Sequence, residues 1–562
     1  MERKINNFSK KITENPNLPA SHAMLYASGL KEKDFSKAQI GIVSNWYEGN
    51  PCNLHLDRLG KKIKSSIIID RDLIGFQITT IGVSDGITMG TNGMRYSLPS
   101  RELIADSIET VIDSHHYDGI IAIPGCDKNI PGVMMAILRL NRPSIIVYGG
   151  SIPSGRYNGK KLDIVSSFEA LGKKNSNQIS EEEYKNIVKN SCPGPGACGG
   201  MYTANTMASF LEAMGMTLPY SSSYPSTSKE KKKECEKVKD YIKILLERNI
   251  KPRDIVTKTS IENGLKLALC LGGSTNLVIH LLAIAKYANI NFTLRDFQEI
   301  SKKVPLIGNL KPSGVFLMED IHMNIGGMPV IIKYLLNEGI LSGNCLTITG
   351  DTLSENMKRV PNINFNQKII YPINKPLKKD GHIRVLYGNL SPEGSIAKIT
   401  GKEGLFFRGE AKVFDSEEEA NKAIINHKIQ KGNVIVIRYV GPIGGPGMPE
   451  MLKPTSYIMG SGFGKYVALI TDGRFSGGSH GFVVGHITPE AQSGGLIAII
   501  RNGDFIKIDA ENDTLTLEVE ENEINQRKKS WIPPLFKIKK GYLYKYMKTV
   551  SSASEGCVTD QF

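Results

Sequence analysis

The sequence of 562 residues lacks the short motifs that place several metal ligands in one segment. It contains eight cysteines, but neither a Cys-x-x-Cys nor a His-Glu-x-x-His pattern occurs. Any metal site must therefore collect its ligands from distant parts of the chain. In a chain of this size the cysteines are expected to be free, metal-bound or catalytic rather than paired in disulfides.

Aromatic residues are scarce, at 7%, and no run of five like charges occurs. The formal net charge is +14, from 70 Lys and Arg against 56 Asp and Glu. Lys and Glu are interspersed in stretches such as residues 229–237, which is typical of a solvated helix. We therefore predict that the protein has no nucleic-acid partner.

Long hydrophobic runs are also lacking. The nearest candidate for a membrane span, the uncharged stretch of residues 267–285, is interrupted by Gly272-Gly-Ser-Thr-Asn276 and by His280, and indicates buried core. The first residues, Met1 to Asn7, do not contain the apolar core of a secretory signal. These features predict a cytoplasmic protein with no membrane partner.

Apolar residues make up 40% of the chain, which is enough to form large hydrophobic cores. At about 100–200 residues per domain, the length of 562 residues implies more than one domain. Between residues 37 and 345, short β-branched runs such as 119–124 and 144–148 alternate with helix-like stretches such as 99–113. This pattern is typical of strands buried on both faces of a parallel α/β sheet. The helix-like stretch 203–215 and the region 254–289 extend the same architecture.

The composition changes near residues 361–381, where prolines and lysines indicate a linker. Beyond it, strand-like runs separated by glycine predominate, at residues 383–387, 434–438, 467–471 and 496–500. We predict an α/β domain over residues 1–365 with a largely parallel sheet, and a smaller β-rich domain over residues 381–562.

Three cysteines share a loop context rich in glycine or proline: Cys52 in Gly49-Asn-Pro-Cys52, Cys126 in Pro124-Gly-Cys126, and Cys198 in Pro195-Gly-Ala-Cys198-Gly-Gly. Glycine lets the backbone approach a bulky inorganic cluster closely, and loops at strand ends can converge in space. Three thiolates leave one iron position open, where the iron is a Lewis acid. Taken singly, each cysteine is more often a small core residue than a cluster ligand, and it is the shared loop context that favours a cluster.

A second group offers hard oxygen ligands of the kind that Mg²⁺ prefers. It comprises Asp85 in Ser84-Asp85-Gly86, Asp127 directly after Cys126 and before Lys128, and Glu450 in Gly447-Met-Pro-Glu450. Asp before Gly is also a common turn residue. Glu450 is equally compatible with a solvated loop acid.

Ser476 follows a strand-like run and begins a glycine-rich turn, where backbone N–H groups could stabilise an alkoxide. The alternative for Ser476 is a helix N-cap. Gly477-Gly-Ser479-His-Gly481 matches the nucleophile elbow of serine hydrolases, but that motif needs a helix after it, and residues 481–485 are strand-like. We do not predict a hydrolase.

These stretches together resemble the dihydroxy-acid and phosphogluconate dehydratase family over nearly the whole chain. The resemblance is carried by the following segments: Pro51-Cys-Asn-Leu-His-Leu56, Gly82-Val-Ser-Asp-Gly-Ile87, Tyr96-Ser-Leu-Pro-Ser-Arg-Glu-Leu-Ile-Ala-Asp-Ser107, Cys126-Asp-Lys128, Gly196-Ala-Cys-Gly-Gly-Met-Tyr-Thr-Ala-Asn-Thr-Met207, Gly272-Gly-Ser-Thr-Asn276, Gly388-Asn-Leu-Ser-Pro-Glu-Gly394, Gly444-Gly-Pro-Gly-Met-Pro-Glu-Met451 and Thr471-Asp-Gly-Arg-Phe-Ser-Gly-Gly478. Their number and common order make the resemblance highly specific.

The resemblance implies an enzyme that dehydrates 2,3-dihydroxy acids in valine and isoleucine synthesis. It implies a dimer in which the smaller domain is β-barrel-like and the active site lies between the two domains. It also implies that Ser476 is the base. The implied ligands are Cys52, Cys126 and Cys198 for a 2Fe–2S cluster, with a 4Fe–4S cluster as the alternative, and Asp85, Asp127, a carbamylated Lys128 and Glu450 for Mg²⁺.

Other interpretations remain open at this point. Cys192 lies close to Cys198 in the sequence and is a rival cluster ligand. Within the family, the substrate could instead be a sugar acid such as 6-phosphogluconate or a pentonate. From another class, a non-catalytic iron–sulfur sensor that binds RNA would need neither the acidic metal ligands nor the serine loop, so these features favour an enzyme.

Overall fold

Two β-sheets, one parallel and one mixed, organise the chain. The computed structural model describes residues 4–175, 177–399, 404–477, 479, 481–536 and 538–562. The strands are β1 Ala38–Ser44, β2 Leu73–Thr79, β3 Gly119–Ile123, β4 Ser144–Ile146, β5 Gly155–Tyr157, β6 Lys160–Leu162, β7 Ile383–Leu386, β8 Gly394–Lys398, β9 Phe406–Phe414, β10 Asn433–Ile437, β11 Glu450–Met451, β12 Ala468–Thr471, β13 Arg474–Phe475, β14 Phe482–Thr488, β15 Phe505–Asp509 and β16 Thr514–Glu518.

Most of the helices precede residue 360. They are α1 Lys10–Thr13, α2 Pro19–Ala27, α3 Leu56–Ile68, α4 Asp85–Thr88, α5 Ser97–Ser114, α6 Asn129–Leu140, α7 Ile164–Asn175, α8 Glu181–Asn190, α9 Thr203–Met214, α10 Lys229–Arg248, α11 Pro252–Ile255, α12 Lys258–Leu271, α13 Leu277–Tyr287, α14 Leu294–Ser301, α15 Met318–Asp320, α16 Met328–Asn337, α17 Leu353–Met357, α18 Glu417–Ile425, α19 Lys453–Gly460, α20 Glu521–Ser530 and α21 Tyr542–Thr549. Single 3₁₀ or π turns lie at Glu32–Asp34, Asn92–Tyr96, Ile321–Ile325, Ala491–Ser493, Leu496–Ile499 and Ala553–Glu555.

The first sheet is parallel throughout, with the strand order β2-β1-β3-β4. Every residue of β1 and of β3 is buried, as the continuous apolar runs predict for strands covered on both faces. The chain leaves β1, β2 and β3 at the same edge of the sheet. Since ligands of α/β proteins bind outside the carboxyl ends of parallel strands, this edge is where a site is expected.

The second sheet has eight strands in the order β16-β15-β9-β10-β12-β14-β8-β7. A bridge between Tyr387, which follows β7, and Thr514 of β16 joins its two edges, so the sheet closes nearly into a barrel. The interior is filled by aliphatic side chains such as Val434, Ile470 and Ile506. The prediction of an α/β fold with a parallel sheet and a β-barrel-like sheet is confirmed.

One predicted strand is wrong. Residues 496–500 form a 3₁₀ turn at Leu496–Ile499 rather than a strand. A short, wholly apolar run does not distinguish a buried strand from a buried helical turn, because both faces are covered in either case.

The segment predicted as a linker, residues 361–381, has no helix and no strand. It packs against the helical part of the chain through the bridges Gly308–Ile370 and Leu306–Lys378. The C-terminal end of the chain returns to the same part of the molecule. There the fully buried Arg101 of α5 pairs with Glu102 and donates hydrogen bonds to the carbonyl oxygens of Gly556 and Cys557, each at 2.8 Å.

Among the described helices, none combines the length and the apolar character that crossing a bilayer would require.

Candidate active site

Three carboxylates from distant parts of the sequence meet at the carboxyl edge of the parallel sheet. Asp85 is the first residue of α4, Asp127 lies in the loop after β3, and Glu450 begins β11. One carboxylate oxygen from each residue lies within 4.8 Å of the others. The structure thus brings together the three acids that the sequence analysis selected for Mg²⁺.

Lys128 lies at the centre of this group, and its side chain is fully buried. Its ammonium nitrogen is 2.5 Å from Asp85 Oδ2, 2.6 Å from Glu450 Oε1 and 4.0 Å from Asp127 Oδ2. A buried ammonium is tolerated only where opposite charges and hydrogen bonds replace its hydration. The carboxylate oxygens of the three acids therefore converge on the positively charged Nζ atom.

Two further residues that the sequence analysis missed complete the surroundings of Glu450. The buried guanidinium of Arg474 pairs with Glu450 Oε1 and donates to Asn276 Oδ1 and to the Met448 carbonyl oxygen. The amide of Asn276 donates to Glu450 Oε1 at 2.8 Å. A signal was available, because Arg474 and Asn276 lie in the segments Thr471–Gly478 and Gly272–Asn276 that carry the family resemblance.

The electrostatics of the three carboxyl groups differ. Burial raises the pKa of Asp85, and burial together with the charge of Asp85 raises that of Asp127 to about 7. Burial also acts to raise the pKa of Glu450, but the charges of Lys128 and Arg474 outweigh it and hold the pKa at about 2. When all three carboxyl groups are ionised, they carry three negative charges against the two positive charges of Lys128 and Arg474. An additional cation would offset the excess negative charge.

The three cysteine loops lie together at the same edge of the sheet. The Gly196 amide in the Cys198 loop donates to the Pro51 carbonyl oxygen at 2.9 Å. A Cβ at Gly125 would lie only 2.4 Å from the Cys52 carbonyl oxygen, so the Cys126 loop touches the Cys52 loop through a glycine. Hydrogen bonding to the Cys126 and Cys198 thiols, together with burial, raises the pKa of the Cys52 thiol well above its ordinary value.

Each of these cysteines has its backbone held by an asparagine side chain. Cys52 N–H donates to Asn50 Oδ1 at 3.0 Å, and Cys126 N–H donates to Asn129 Oδ1 at 2.8 Å. The Cys198 carbonyl oxygen accepts from Asn205 Nδ2 at 2.6 Å. These asparagines were missed, because Asn in a loop sequence ordinarily indicates only a turn.

Cys192, the rival cluster ligand, is exposed, whereas Cys52 and Cys126 are buried. Although the residue as a whole is exposed, burial of its sulfur and the charge of Cys198 raise the pKa of the Cys192 thiol to about 12. The Cys52 thiol interacts with Cys126 and Cys198, and its described partners do not include Cys192. The geometry favours the three loop cysteines as a group.

Ser476 directly follows β13, which pairs in parallel with β11 in the register Glu450–Arg474 and Met451–Phe475. Its N–H donates to the Met451 carbonyl oxygen at 3.0 Å, so the turn with Ser476 and the strand with Glu450 form one unit. The next element in the described part of the chain is strand β14, which does not support an N-cap role. Gly478 and His480, two further residues of the predicted turn, lie outside the described residues.

A second pair of buried acids supports the loop that leads to Glu450. Glu490 accepts hydrogen bonds at 2.8 Å from the N–H groups of Ile443 and Gly444. Asp472 accepts from the N–H groups of Tyr439, Val440 and Ala491. Burial and the charge of Asp472 raise the pKa of Glu490 to about 8, and burial raises that of Asp472 to about 6.

Comparison with known proteins identifies the family of the chain. Residues 37–356 match the N-terminal domain and residues 368–557 the C-terminal domain of dihydroxy-acid/6-phosphogluconate dehydratases. Proteins named dihydroxy-acid dehydratase are 56% identical in Flavobacterium psychrophilum, with 99% of each chain covered, and 56% identical in Francisella tularensis subsp. novicida, with 100% of each chain covered. Another from Lactococcus lactis subsp. cremoris is 55% identical over 99% of this chain and 98% of its own. These matches show that the chain belongs to the dihydroxy-acid/6-phosphogluconate dehydratase family and is a hydro-lyase.

Proposed function

We propose that the enzyme converts 2,3-dihydroxy-3-methylbutanoate to 3-methyl-2-oxobutanoate, and 2,3-dihydroxy-3-methylpentanoate to its 2-oxo acid, for valine and isoleucine biosynthesis. The names of its relatives support dehydration of a dihydroxy acid. The observation that carries the proposal is the buried group of Asp85, Asp127 and Glu450 beside the three cysteine loops. Cys126 and Asp127 are adjacent in sequence, so one loop contributes a residue to the cysteine group and a residue to the carboxylate group.

We propose that Asp85, Asp127, Glu450 and a carbamylated Lys128 hold Mg²⁺. The donor set fits, because it consists of carboxylate oxygens that converge on one point, buried at Asp85 and Glu450 and partly exposed at Asp127. Carbamylation joins CO₂ to Lys128 Nζ with loss of two protons from the ammonium group, and replaces its positive charge by an anionic oxygen ligand. In the absence of a metal ion the pKa of Asp127 is raised to about 7, which supports a site that a bound metal ion completes.

We propose that Cys52, Cys126 and Cys198 hold an iron–sulfur cluster, of the 2Fe–2S type, with 4Fe–4S as the alternative. The residues fit such a group, because the thiol of Cys52 interacts with both other thiols and the loops meet through Gly125 and Gly196. The domains proposed are residues 1–365, with the cysteines and most Mg²⁺ ligands, and 381–562, with Glu450 and Ser476.

The reaction removes a weakly acidic proton from C2 of the substrate and a poor leaving group, hydroxide, from C3. When bound, Mg²⁺ and the cluster supply Lewis-acid sites that stabilise charge on the carboxylate and C2 oxygen and favour loss of the C3 hydroxyl. Ser476 takes the C2 proton, and the electron pair of the C2–H bond forms the C2–C3 double bond. The hydroxide leaves C3 and is protonated to water, and the enol tautomerises to the 2-oxo acid.

A serine hydroxyl is a weak base unless nearby positive charge lowers its pKa. Lys398 at the end of β8 is buried next to the Ser476 turn. Its ammonium group donates to the carbonyl oxygens of Ser479 at 3.0 Å and Gly477 at 3.4 Å. This charge favours the ionised form of Ser476 and fixes the turn that carries it.

We also propose that the enzyme is a cytoplasmic homodimer. In the described part of the chain, which includes all eight cysteines, none is paired in a disulfide, and this is typical of proteins from reducing compartments. The dimer is implied by the family resemblance, and light scattering of the purified protein tests it.

The test is an assay of 2-oxo-acid release with the protein purified anaerobically, using the two branched dihydroxy acids, 6-phosphogluconate and a pentonate. We expect turnover of the branched acids; turnover of the sugar acids alone would overturn the substrate assignment. Iron and sulfide analysis with an electron paramagnetic resonance spectrum of the reduced protein identifies the cluster. The variant Ser476→Ala should retain iron, magnesium and the spectrum but lose turnover, and an active variant would remove Ser476 from the mechanism.

A further inference from the structure

A small cavity adjoins Ser476 in the β-barrel-like part of the molecule. Its volume of about 10 Å³ is roughly that needed by a single water molecule. Its lining combines the apolar residues Ile396, Phe475 and Val483 with five polar side chains, which are Thr275, Lys398, Ser476, Ser479 and His486. The reaction proposed above uses the hydroxyl of Ser476 and the charge of Lys398, but gives no role to His486.

The backbone of His486 adopts an unusual conformation. His486 lies within β14 with φ of +54°, in the left-handed region that residues other than glycine rarely adopt. The register of β14 against β8 shifts between Gly485 and Thr488, so His486 belongs to a β-bulge, which redirects a side chain. The His486 N–H donates to the Gly473 carbonyl oxygen at 2.8 Å. The bulge is thereby attached to the turn that leads to Arg474 and Ser476.

The His486 imidazole is only 4% exposed, yet neither of its ring nitrogens has a hydrogen-bond partner among the described residues. Buried polar atoms without partners are rare and need an explanation such as a water or a substrate. Burial and the charge of Arg474 lower the pKa of His486 to about 3. The ring is therefore neutral near pH 7 and offers one N–H donor and one acceptor.

We propose that His486 is a positioning residue, whose imidazole is hydrogen-bonded through a water in this cavity to the Ser476 hydroxyl and directs the Ser476 oxygen toward C2 of the substrate. The inference rests on the proposed function, in which Ser476 is the base. It accounts for the bulge, the left-handed backbone and the two unpartnered nitrogens together. Packing alone accounts for none of them, because an apolar residue in a regular strand would fill the same space.

Two variants separate hydrogen bonding from packing. His486→Leu keeps an apolar volume but removes both nitrogens, whereas His486→Asn keeps a donor and an acceptor and tolerates the left-handed backbone. The measurements are kcat and KM with 2,3-dihydroxy-3-methylbutanoate and the isotope effect on kcat with the same acid deuterated at C2. Iron content and the thermal midpoint show that each variant is folded and loaded.

We expect His486→Leu to lower kcat about 100-fold, as for a misplaced catalytic group, with KM changed less than about threefold. The deuterium isotope effect should rise, because proton removal becomes more strongly rate-limiting. The kcat of His486→Asn should be about tenfold higher than that of His486→Leu. If His486→Leu retains kcat within about threefold, or if the two variants are equally impaired at full iron content, the proposal is overturned.

The experiment includes Ser476→Ala so that the two proposals fail separately. An inactive Ser476→Ala enzyme beside a fully active His486→Leu enzyme overturns only the role of His486. An active Ser476→Ala enzyme overturns Ser476 as the base, whatever the histidine variants do.

Discussion

The ammonium nitrogen of Lys128 lies 2.6 Å from Glu450 Oε1 and joins two residues that are 322 positions apart in the sequence. The contact is fully buried and links the loop after β3 to strand β11, which pairs with β13, the strand that directly precedes Ser476. Both halves of the chain are therefore needed to form the acidic group, and the contact itself can be tested.

Replacing Lys128 by Met in the metal-free, uncarbamylated protein should lower the free energy of unfolding by about 3–5 kcal/mol, because Asp85 would stay buried without its cation and Glu450 would keep only Arg474. Urea titration measures this loss. Lys128→Arg is the matched variant, since it keeps the charge but cannot form a carbamate. We expect it to be more stable than the Met variant and still inactive. Wild-type turnover by Lys128→Arg would contradict a role for the carbamate.

Gly125→Ala should prevent the Cys52 and Cys126 loops from meeting. A Cβ at this position would lie 2.4 Å from the Cys52 carbonyl oxygen, and backbone cannot move away as a flexible side chain would. We expect iron bound per chain, measured after anaerobic purification, to fall about tenfold. Gly194→Ala is the control, because a Cβ there meets no atom within 4 Å. Equal iron in the two variants would argue against a cluster held by these loops.

Asn205→Leu should loosen the Cys198 loop. The Asn205 amide donates to the carbonyl oxygens of Cys198 at 2.6 Å and Gly200 at 2.7 Å, and both would lose this donor. We expect a chelator to remove iron about tenfold faster than from the wild type. Tyr148→Phe removes only the bond to Asn205 Oδ1 and should have a much smaller effect. Identical rates for Asn205→Leu and the wild type would contradict the prediction.

Glu490 should make stability depend on pH. Its pKa is about 8 in the folded protein and about 4.5 when exposed, so its stabilising effect is full below pH 4.5 and is lost as pH rises through 8. Between pH 6 and 9 the wild type should lose on the order of 3 kcal/mol of unfolding free energy from this group. Glu490→Gln resembles the protonated form and should lose less in the same urea titrations. Parallel pH profiles for the two proteins would refute the assignment.

The sequence predicted the elements that local pattern determines. The buried strands β1 and β3, the helices over residues 99–113 and 203–215, and the three cysteine loops follow from apolar periodicity and from glycine. The grouping of Asp85, Asp127 and Glu450 was suggested by their hard-oxygen chemistry and by the family resemblance, but their geometry depends on the packing of two sheets and could not be read from local pattern.

What the sequence did not reveal is chiefly the set of groups that support the site. Asn50, Asn129 and Asn205 act on backbone atoms of residues two to seven positions away, and such bonds have no compositional signature. Arg474 and His486 are buried polar residues, which periodicity assigns to a surface. The closure of the barrel by Tyr387 and Thr514 joins segments on opposite edges of one sheet, so no local pattern could predict it.

The attachment of the C-terminal end to Arg101 has a consequence for the order of biosynthesis. The guanidinium reaches the carbonyl oxygens of Gly556 and Cys557 only after almost the whole chain has been translated. Until then the buried guanidinium is paired with Glu102 but lacks these two acceptors, which lowers the stability of the helical half. We therefore expect this half to reach its full stability only when the segment around Gly556 and Cys557 is in place.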